Sequence, residues 1–233
     1  MKYPFHILFV TLLFTGTQGL AQPIPNDDDE LYGHDPLLYN GRFYTYFIPS
    51  STTGTPYFNG PDFVNGSVTL RGITYTDLPL KYDVINQQLI LQYQRKDGGV
   101  KKIIISEAWL EAFNLGNEHF ELFTREDSIK QIYQVIGNGS FRILYDWSIY
   151  LNLDTKQGGS HNYAFSPLAK KEFLLSENTI MPFKNNKSFV SLFNPSMQSM
   201  LKKYLQHQHI NVKKASDEEM TELVNFCNTK AAS

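Results

Sequence analysis

From Gly66 to Tyr75 the chain alternates: Val68, Leu70, Ile73 and Tyr75 are separated by polar residues on either side of Arg71-Gly72. A period of two marks strands with one buried face. The alternation resumes over Leu78–Val84, turns at Asn86-Gln87 into Gln88–Gln94, and turns at Asp97-Gly98 into Val100–Ile105. Short turns between such runs predict an antiparallel meander. Trp109–Leu115 and His119–Phe123 flank Gly116-Asn117 as a further hairpin, with a helical turn over Ala108–Phe113 as the alternative. Ile129–Ile136 and Ser140–Leu153 flank Gly137-Asn138-Gly139, and Phe141, Ile143, Tyr145 and Trp147 share one face. A polar loop at Thr155–Ser160 leads to the last strands, Tyr163–Leu175 and Ile180–Val190, with a basic, Asn-rich turn at Lys184–Lys187. Upstream, Leu38-Tyr39 and Arg42–Ile48 read as a hairpin about Asn40-Gly41, a pair that tolerates positive φ. The loop Pro49–Pro61 carries Tyr57 and Phe58, which are expected to tuck back onto the sheet.

Toward the end the period changes. Asn194-Pro195 reads as an N-cap followed by proline at the first helical position. Met197, Met200, Leu201, Tyr204 and Leu205 then recur at helical spacing. After the extended link Ile210-Asn211-Val212, Ser216-x-x-Glu219 forms a capping box, and Met220, Leu223, Val224 and Cys227 make the buried stripe of a second helix. The expected fold is mainly β: an antiparallel meander sheet, open, roll-like or partly closed, with two C-terminal α-helices packed on it. The β domain spans residues 33–193 and the helical pair 194–230.

The first residues follow another pattern. Lys2 precedes an apolar run from Phe5 to Phe14, and Gly19-Leu20-Ala21 places small side chains before Gln22. Residues 1–21 therefore read as a cleavable signal peptide. The apolar core of about ten residues is short of the ~20 that span a bilayer. Residues 22–32, with the run Asp27-Asp28-Asp29-Glu30, read as an acidic disordered lead-in. Such a run binds calcium only when a loop holds its ligands, so a solvated tail is the simpler reading.

Composition narrows the partners. The 233 residues carry a formal net charge of −2, and −3 without Lys2, which argues against general affinity for nucleic acid or anionic membrane. The 14 Tyr and 17 Phe favour strands. The single cysteine, Cys227, excludes an internal disulfide, so an exported domain must rest on its core. No later segment is long and apolar enough to span a membrane as a helix.

Candidate chemistry is sparse. Ser160 and His161 adjoin in Gly158-Gly159-Ser160-His161, but no nucleophile elbow is present. His207 and His209 lie roughly 200° apart on a helix, while His34, His119 and His161 are scattered, so no metal set is assigned. Asp62, Asp77, Asp83, Glu107 and Glu121 are the carboxylates available for a glycosidase-type pair. Tyr39, Tyr44, Tyr46, Tyr57, Tyr75, Tyr82 and Tyr93 crowd the first half. Half-buried sheets favour tyrosine, and exposed tyrosines suit a sugar, peptide or protein surface. No catalytic or ligand-binding residue and no cofactor is assigned.

The runs Gly66-Ser67-Val68, Gly72-Ile73-Thr74-Tyr75 and Leu78-Pro79-Leu80-Lys81-Tyr82-Asp83, with the ending Lys202-Lys203-Tyr204-Leu205, Ile210 and Leu223-Val224-Asn225-Phe226, resemble a family of exported β-rich proteins of Bacteroidetes-type bacteria. Leu70-Arg71 stands where that family usually has Tyr-x before the glycine. The resemblance implies a β body with a paired-helix tail in the periplasm, at the outer-membrane periphery, or secreted, and carries over no catalytic residue. The functional expectation is a non-enzymatic cell-envelope protein that binds a protein partner or ligand. One alternative is a periplasmic carrier of a lipid or other apolar ligand, which requires an apolar groove between strands and helices. Another is a glycan- or peptide-directed hydrolase, which requires two carboxylates or a Ser-His pair in one cleft. A helical, charged C-terminus argues against an outer-membrane barrel.

Overall fold

A computed structural model describes residues 36–46, 48–49, 51–94, 98–125, 129–154 and 162–231. The expected signal peptide, the acidic lead-in, His34, Asp97 and the segment Gly158-Gly159-Ser160-His161 lie outside the described residues. Eleven strands form one sheet in which every neighbouring pair is antiparallel. Its order is β1 (Arg42–Phe43), β6 (Val100–Ile104), β5 (Gln88–Gln94), β4 (Ile73–Asp83), β3 (Val64–Leu70), β7 (Leu110–Leu115), β8 (Glu118–Thr124), β9 (Lys130–Ile136), β10 (Phe141–Ser148), β13 (Ala169–Ser176) and β14 (Thr179–Phe183). Two meanders thus run in opposite directions from the β3–β7 pair, and the sheet is open, with β1 and β14 at its edges. A second sheet has the order β11 (Leu151–Asp154), β12 (Asn162–Phe165) and β2 (Thr52–Thr53), the last pair parallel. The helices are α1 (Pro36–Tyr39), α2 (Asn186–Val190), α3 (Pro195–His207) and α4 (Asp217–Ala231).

Period two explains the faces. Ile143, Tyr145 and Trp147 of β10 point to the face that carries the helices, where Leu201, Leu223, Val224 and Cys227 are buried against them. Leu144 points the other way and packs with Tyr133, Val135 and Leu175. The inner face continues across Trp147 into the first half, where Phe58 meets Tyr82, Phe120 and Trp147 at ring distances of 6.4, 5.1 and 5.3 Å. Phe58 tucks in because β3 ends short of the full length of β4. The segment 56–58 takes up the vacant edge, with Phe58 N–H donating to Tyr82 O (3.0 Å) and Val84 N–H to Pro56 O (3.0 Å).

Polar ties fix α4 to the sheet. The Asn228 side chain accepts from Phe141 N–H (2.8 Å) and donates to Asn138 O (2.7 Å) and Phe141 O (3.0 Å). Buried Gln134 accepts from Trp147 Nε1 (2.9 Å) and donates to Asp217 Oδ2 (2.8 Å). Ser216 and Glu219 exchange the two hydrogen bonds of the capping box, at 2.8 and 3.2 Å. Asn194 caps α3 through Met197 N–H (2.9 Å), with Pro195 opening the helix.

The structure corrects several boundaries. Leu38-Tyr39 belongs to α1, and Asn40-Gly41 makes no hairpin, because Arg42-Phe43 pairs with β6 instead. Glycine at 41 serves close approach: a Cβ there would collide with the Ile104 carbonyl. The two segments read between Ile73 and Val84 are one long strand, β4, which accommodates positive φ at Asp77 (57°). The expected strand Ser140–Leu153 breaks after Ser148, and β11 joins the second sheet. Tyr163–Leu175 likewise divides around Pro167 into β12 and β13. Ile180–Val190 is strand only to Phe183. There Asn185 caps α2, its Oδ1 accepting from Ser188 N–H (2.9 Å), and this local bond turns an apparent strand tail into a helix. The Ala108–Phe113 alternative is replaced by a turn at 107–109 followed by β7.

Candidate functional site

The nominated residues separate into distinct environments. Asp83 is fully buried; its carboxylate accepts from Tyr44 Oη (2.8 Å) and from Asn86 N–H and Nδ2 (3.0 and 2.8 Å). Tyr44 and Tyr57 hydroxyls lie 3.1 Å apart, and Tyr46 stacks on Tyr44. Beside them Lys81 Nζ donates to Pro61 O and sits 4.5 Å from the Tyr57 ring centre and 4.2 Å from that of Phe63. Burial, and then the like charge of Lys102, pull the Lys81 ammonium below its ordinary range. Burial first, then the bonds to Tyr57 and Asp83, push the Tyr44 hydroxyl above its own. The cluster spends its polar atoms internally and ties Tyr44, Tyr57 and Pro61 to the sheet. Tyr82 and Tyr93 are core residues, Tyr39 packs edge-on against Tyr93 at 5.5 Å, and Tyr75 packs on the same core. The tyrosine-rich half therefore forms no exposed aromatic platform among the described residues.

On the outer face a chain of hydrogen bonds runs across strands. Asn114 Nδ2 donates to Ser67 Oγ (2.8 Å), Asn114 Oδ1 meets His119 Nδ1 (2.8 Å), His119 Nε2 meets Glu121 Oε1 (3.2 Å), and Arg142 Nη1 donates to both Glu121 oxygens (2.8 and 2.9 Å). The bond from His119, helped by Arg142 and opposed by burial, holds the Glu121 carboxyl below its ordinary range. This brings two nominated residues together, but Ser67 meets Asn114 rather than the imidazole, so the chain is not a nucleophile and its base. Asp77 is exposed beside Asn65 and Thr76, Asp62 is exposed, and Glu107 lies in the turn before β7. Cys227 is fully buried, and burial pushes its thiol up to about 12. Among the described residues no three His, Cys, Asp or Glu side chains converge as a metal site.

Several concavities remain, none anticipated from motifs; one of about 560 Å³ between β8, β9 and α4 gathers His119 with Glu118, Asp217, Glu218 and Glu222. Another, of about 500 Å³, is lined by Arg125, Tyr133, Asp146, Lys171, Phe173 and Ile180. Asp146 is pushed up by burial, against the pull of Lys171 and Arg125, and Gln131 Nε2 holds its Oδ1 at 2.9 Å. Only one carboxylate lines it, which is half of a glycosidase pair.

A groove of about 650 Å³ lies between α2, α3 and the link to α4. Local rules build it. Asn186 of α2 ties down the link by donating to Ile210 O (2.7 Å) and accepting from Val212 N–H (2.9 Å). His209 takes positive φ (55°) just past α3, so that Ile210 N–H reaches back to Leu205 O (3.0 Å) and the Ile210 side chain folds inward. Buried Val190, Leu205 and Ile210 make the floor; Lys187, Lys202 and His209 stand on the rim with Gln198 and Gln206. His207 ends α3, whereas His209 lies beyond it, so the two do not share one helix. The missed signal is a charge run. From Lys184 to Ser216 the chain has six lysines and no Asp or Glu, although its overall charge is −2. Among the described residues neither Lys187 nor Lys202 has a carboxylate within ion-pair distance. The arrangement can hold an apolar body while its rim neutralises an anionic group. The chain matches no protein-family model, no curated protein and no solved structure.

Proposed function

We propose that this is an exported, non-enzymatic cell-envelope protein that binds an amphipathic anion, an apolar chain or ring carrying a carboxylate or phosphate, in the α2–α3 groove. One observation carries the reading: an apolar floor under a rim that has cations and no acid. A volume of about 650 Å³ is in the range of small-molecule sites. The pattern of residues 1–21 supports export. A carrier cavity between sheet and helices is disfavoured, since Tyr145, Leu174, Phe189, Leu201, Leu223 and Val224 fill that space. The apolar seat lies instead on the outer side of the helical layer.

Calorimetric titration with dodecyl phosphate, and with neutral dodecyl maltoside as control, tests the reading. The anionic probe should bind and the neutral one should bind at least tenfold more weakly. Changing Lys187→Gln and Lys202→Gln together should weaken the phosphate probe about tenfold or more, the equivalent of ~1.4 kcal/mol. Equal binding of the two probes, or an unchanged affinity in the double variant, refutes it. The exported product should begin at Gln22.

A further inference from the structure

The outer face of β8, β9, β10, β13 and β14 carries the pocket of about 500 Å³, a volume within the range of small-molecule sites. Tyr133, Val135, Leu144 and Leu175 are buried on this face, with Phe123, Phe173 and Ile180 packed against them. Strand register orders it. Asp146 of β10 lies opposite Lys171 of β13; Phe173 follows two residues on, and Leu175, two residues further, pairs with Ile180 of β14. Alternate residues share a face, so a charged end gives way along β13 to an apolar body. The Phe173 ring meets that of Tyr133 edge-on at 5.9 Å.

The charged end is unspent. Opposite charges at directly paired positions stabilise a sheet when they meet, and their Cβ atoms stand about 5 Å apart. Yet among the described residues Asp146 and Lys171 make no ion pair. Asp146 Oδ1 accepts from Gln131 Nε2 (2.9 Å), and Oδ2 accepts from no described residue. Burial pushes this carboxyl up, against the pull of Lys171 and then Arg125. A half-buried carboxylate in that setting lacks the close cation that offsets its desolvation. Lys171 is exposed and lines the same pocket.

We propose that this pocket binds a free α-amino acid with a large apolar or aromatic side chain. Asp146 takes the ammonium, Lys171 takes the carboxylate, and the side chain lies along Phe173 toward Ile180. The three features select this class together. An α-amino acid carries both charges on groups attached to one carbon, which suits an anion and a cation held side by side on adjacent strands. Charge-assisted hydrogen bonds of this kind are the strong ones. A neutral sugar leaves both charges of the site unmatched, and a fatty acid leaves Asp146 without a cation. The inference is independent of the α2–α3 groove, which offers cations and no acid.

Calorimetric titration with L-phenylalanine tests the site. The chain should bind it with a dissociation constant of about 1 mM or tighter. Phenylalaninamide, which lacks the carboxylate, and N-acetylphenylalanine, which lacks the ammonium, should each bind at least tenfold more weakly. Asp146→Asn, which keeps an acceptor for Gln131, and Lys171→Gln should each weaken phenylalanine at least tenfold with unchanged circular dichroism spectra. Lys187→Gln combined with Lys202→Gln should leave phenylalanine binding unchanged, which separates this pocket from the α2–α3 groove. Where a variant does not fold, the three probes on the parent chain decide alone. The proposal is overturned by a weaker dissociation constant for phenylalanine, by either derivative binding within tenfold of it, by either folded pocket variant staying within tenfold of the parent, or by a loss of phenylalanine binding in the Lys187 and Lys202 variant.

Discussion

Replacing Asn228 by alanine should loosen the helical layer that carries the groove. The side chain makes three hydrogen bonds, of 2.8, 2.7 and 3.0 Å, to the β9–β10 turn. Each such bond is worth about 0.5–1.5 kcal/mol net. The site is partly exposed and alanine favours the helix by roughly 0.5 kcal/mol, so the expected cost is about 2 kcal/mol. The turn is shaped around this contact. Gly137 and Gly139 have φ of 79° and 106°, and a Cβ on either would press on Val224 or Asn228 at 2.7–2.9 Å. In urea the unfolding midpoint should fall by about 1 M with unchanged slope, for a slope of roughly 2 kcal/mol/M. Asn225→Ala, at an exposed position on the same helix, should stay within about 0.5 kcal/mol of the parent. Equal midpoints for the two variants would show that the turn contact does not hold α4.

Two further outcomes follow from burial and charge. Cys227 should resist a thiol reagent at pH 8 in the native state and react at once in denaturant, because burial pushes its thiol up to about 12; fast native labelling contradicts the packing of α4. Glu121 is held below its ordinary range by His119 and then Arg142. Its contribution, roughly 0.5–1 kcal/mol for the Arg142 pair, is therefore present above the unfolded value of about 4.3 and lost as pH falls through the folded one. Glu121→Gln should lower stability at pH 7 but not at pH 2.5, and a loss of the same size at both pH values would contradict the assignment.

The periodic parts of the chain were legible. β5 occupies the expected Gln88–Gln94, the β7–β8 hairpin turns at Gly116-Asn117, and the Ser216–Glu219 box opens α4. Each is fixed by neighbours in sequence. What was hidden depends on partners distant along the chain. Asn40-Gly41 has hairpin chemistry, yet the competing partner for Arg42-Phe43 lies some 60 residues on, in β6. The break after Ser148 reflects a change of sheet, which alternation does not encode. Ile180–Val190 conceals a helix because Asn185, which caps it, has turn chemistry as well. His119 and Glu121 stand out by residue type, but their network also draws on Asn114 from β7 and Arg142 from β10. The groove was hidden for a related reason: Lys187 and Lys202 are 15 residues apart in sequence, and only the Asn186 tie and the turn at His209 place them on one rim.

The acids that follow the basic segment have partners of their own. Asp217, Glu218 and Glu219 follow directly on the basic segment. Their places in the first turn of α4 are favoured by the helix dipole. Glu219 also accepts from Ser216 N–H, and Asp217 accepts from Gln134 Nε2, while Gln134 Oε1 accepts from Trp147 Nε1. Loss of the Glu219 bond would break a cap, and loss of the Asp217 bond would remove a tie between α4 and the sheet. The same bonds that dock the helix therefore hold Asp217 and Glu219 at the start of α4. The Asp217–Gln134 tie sets that carboxylate over the sheet, where its charge acts on Lys170.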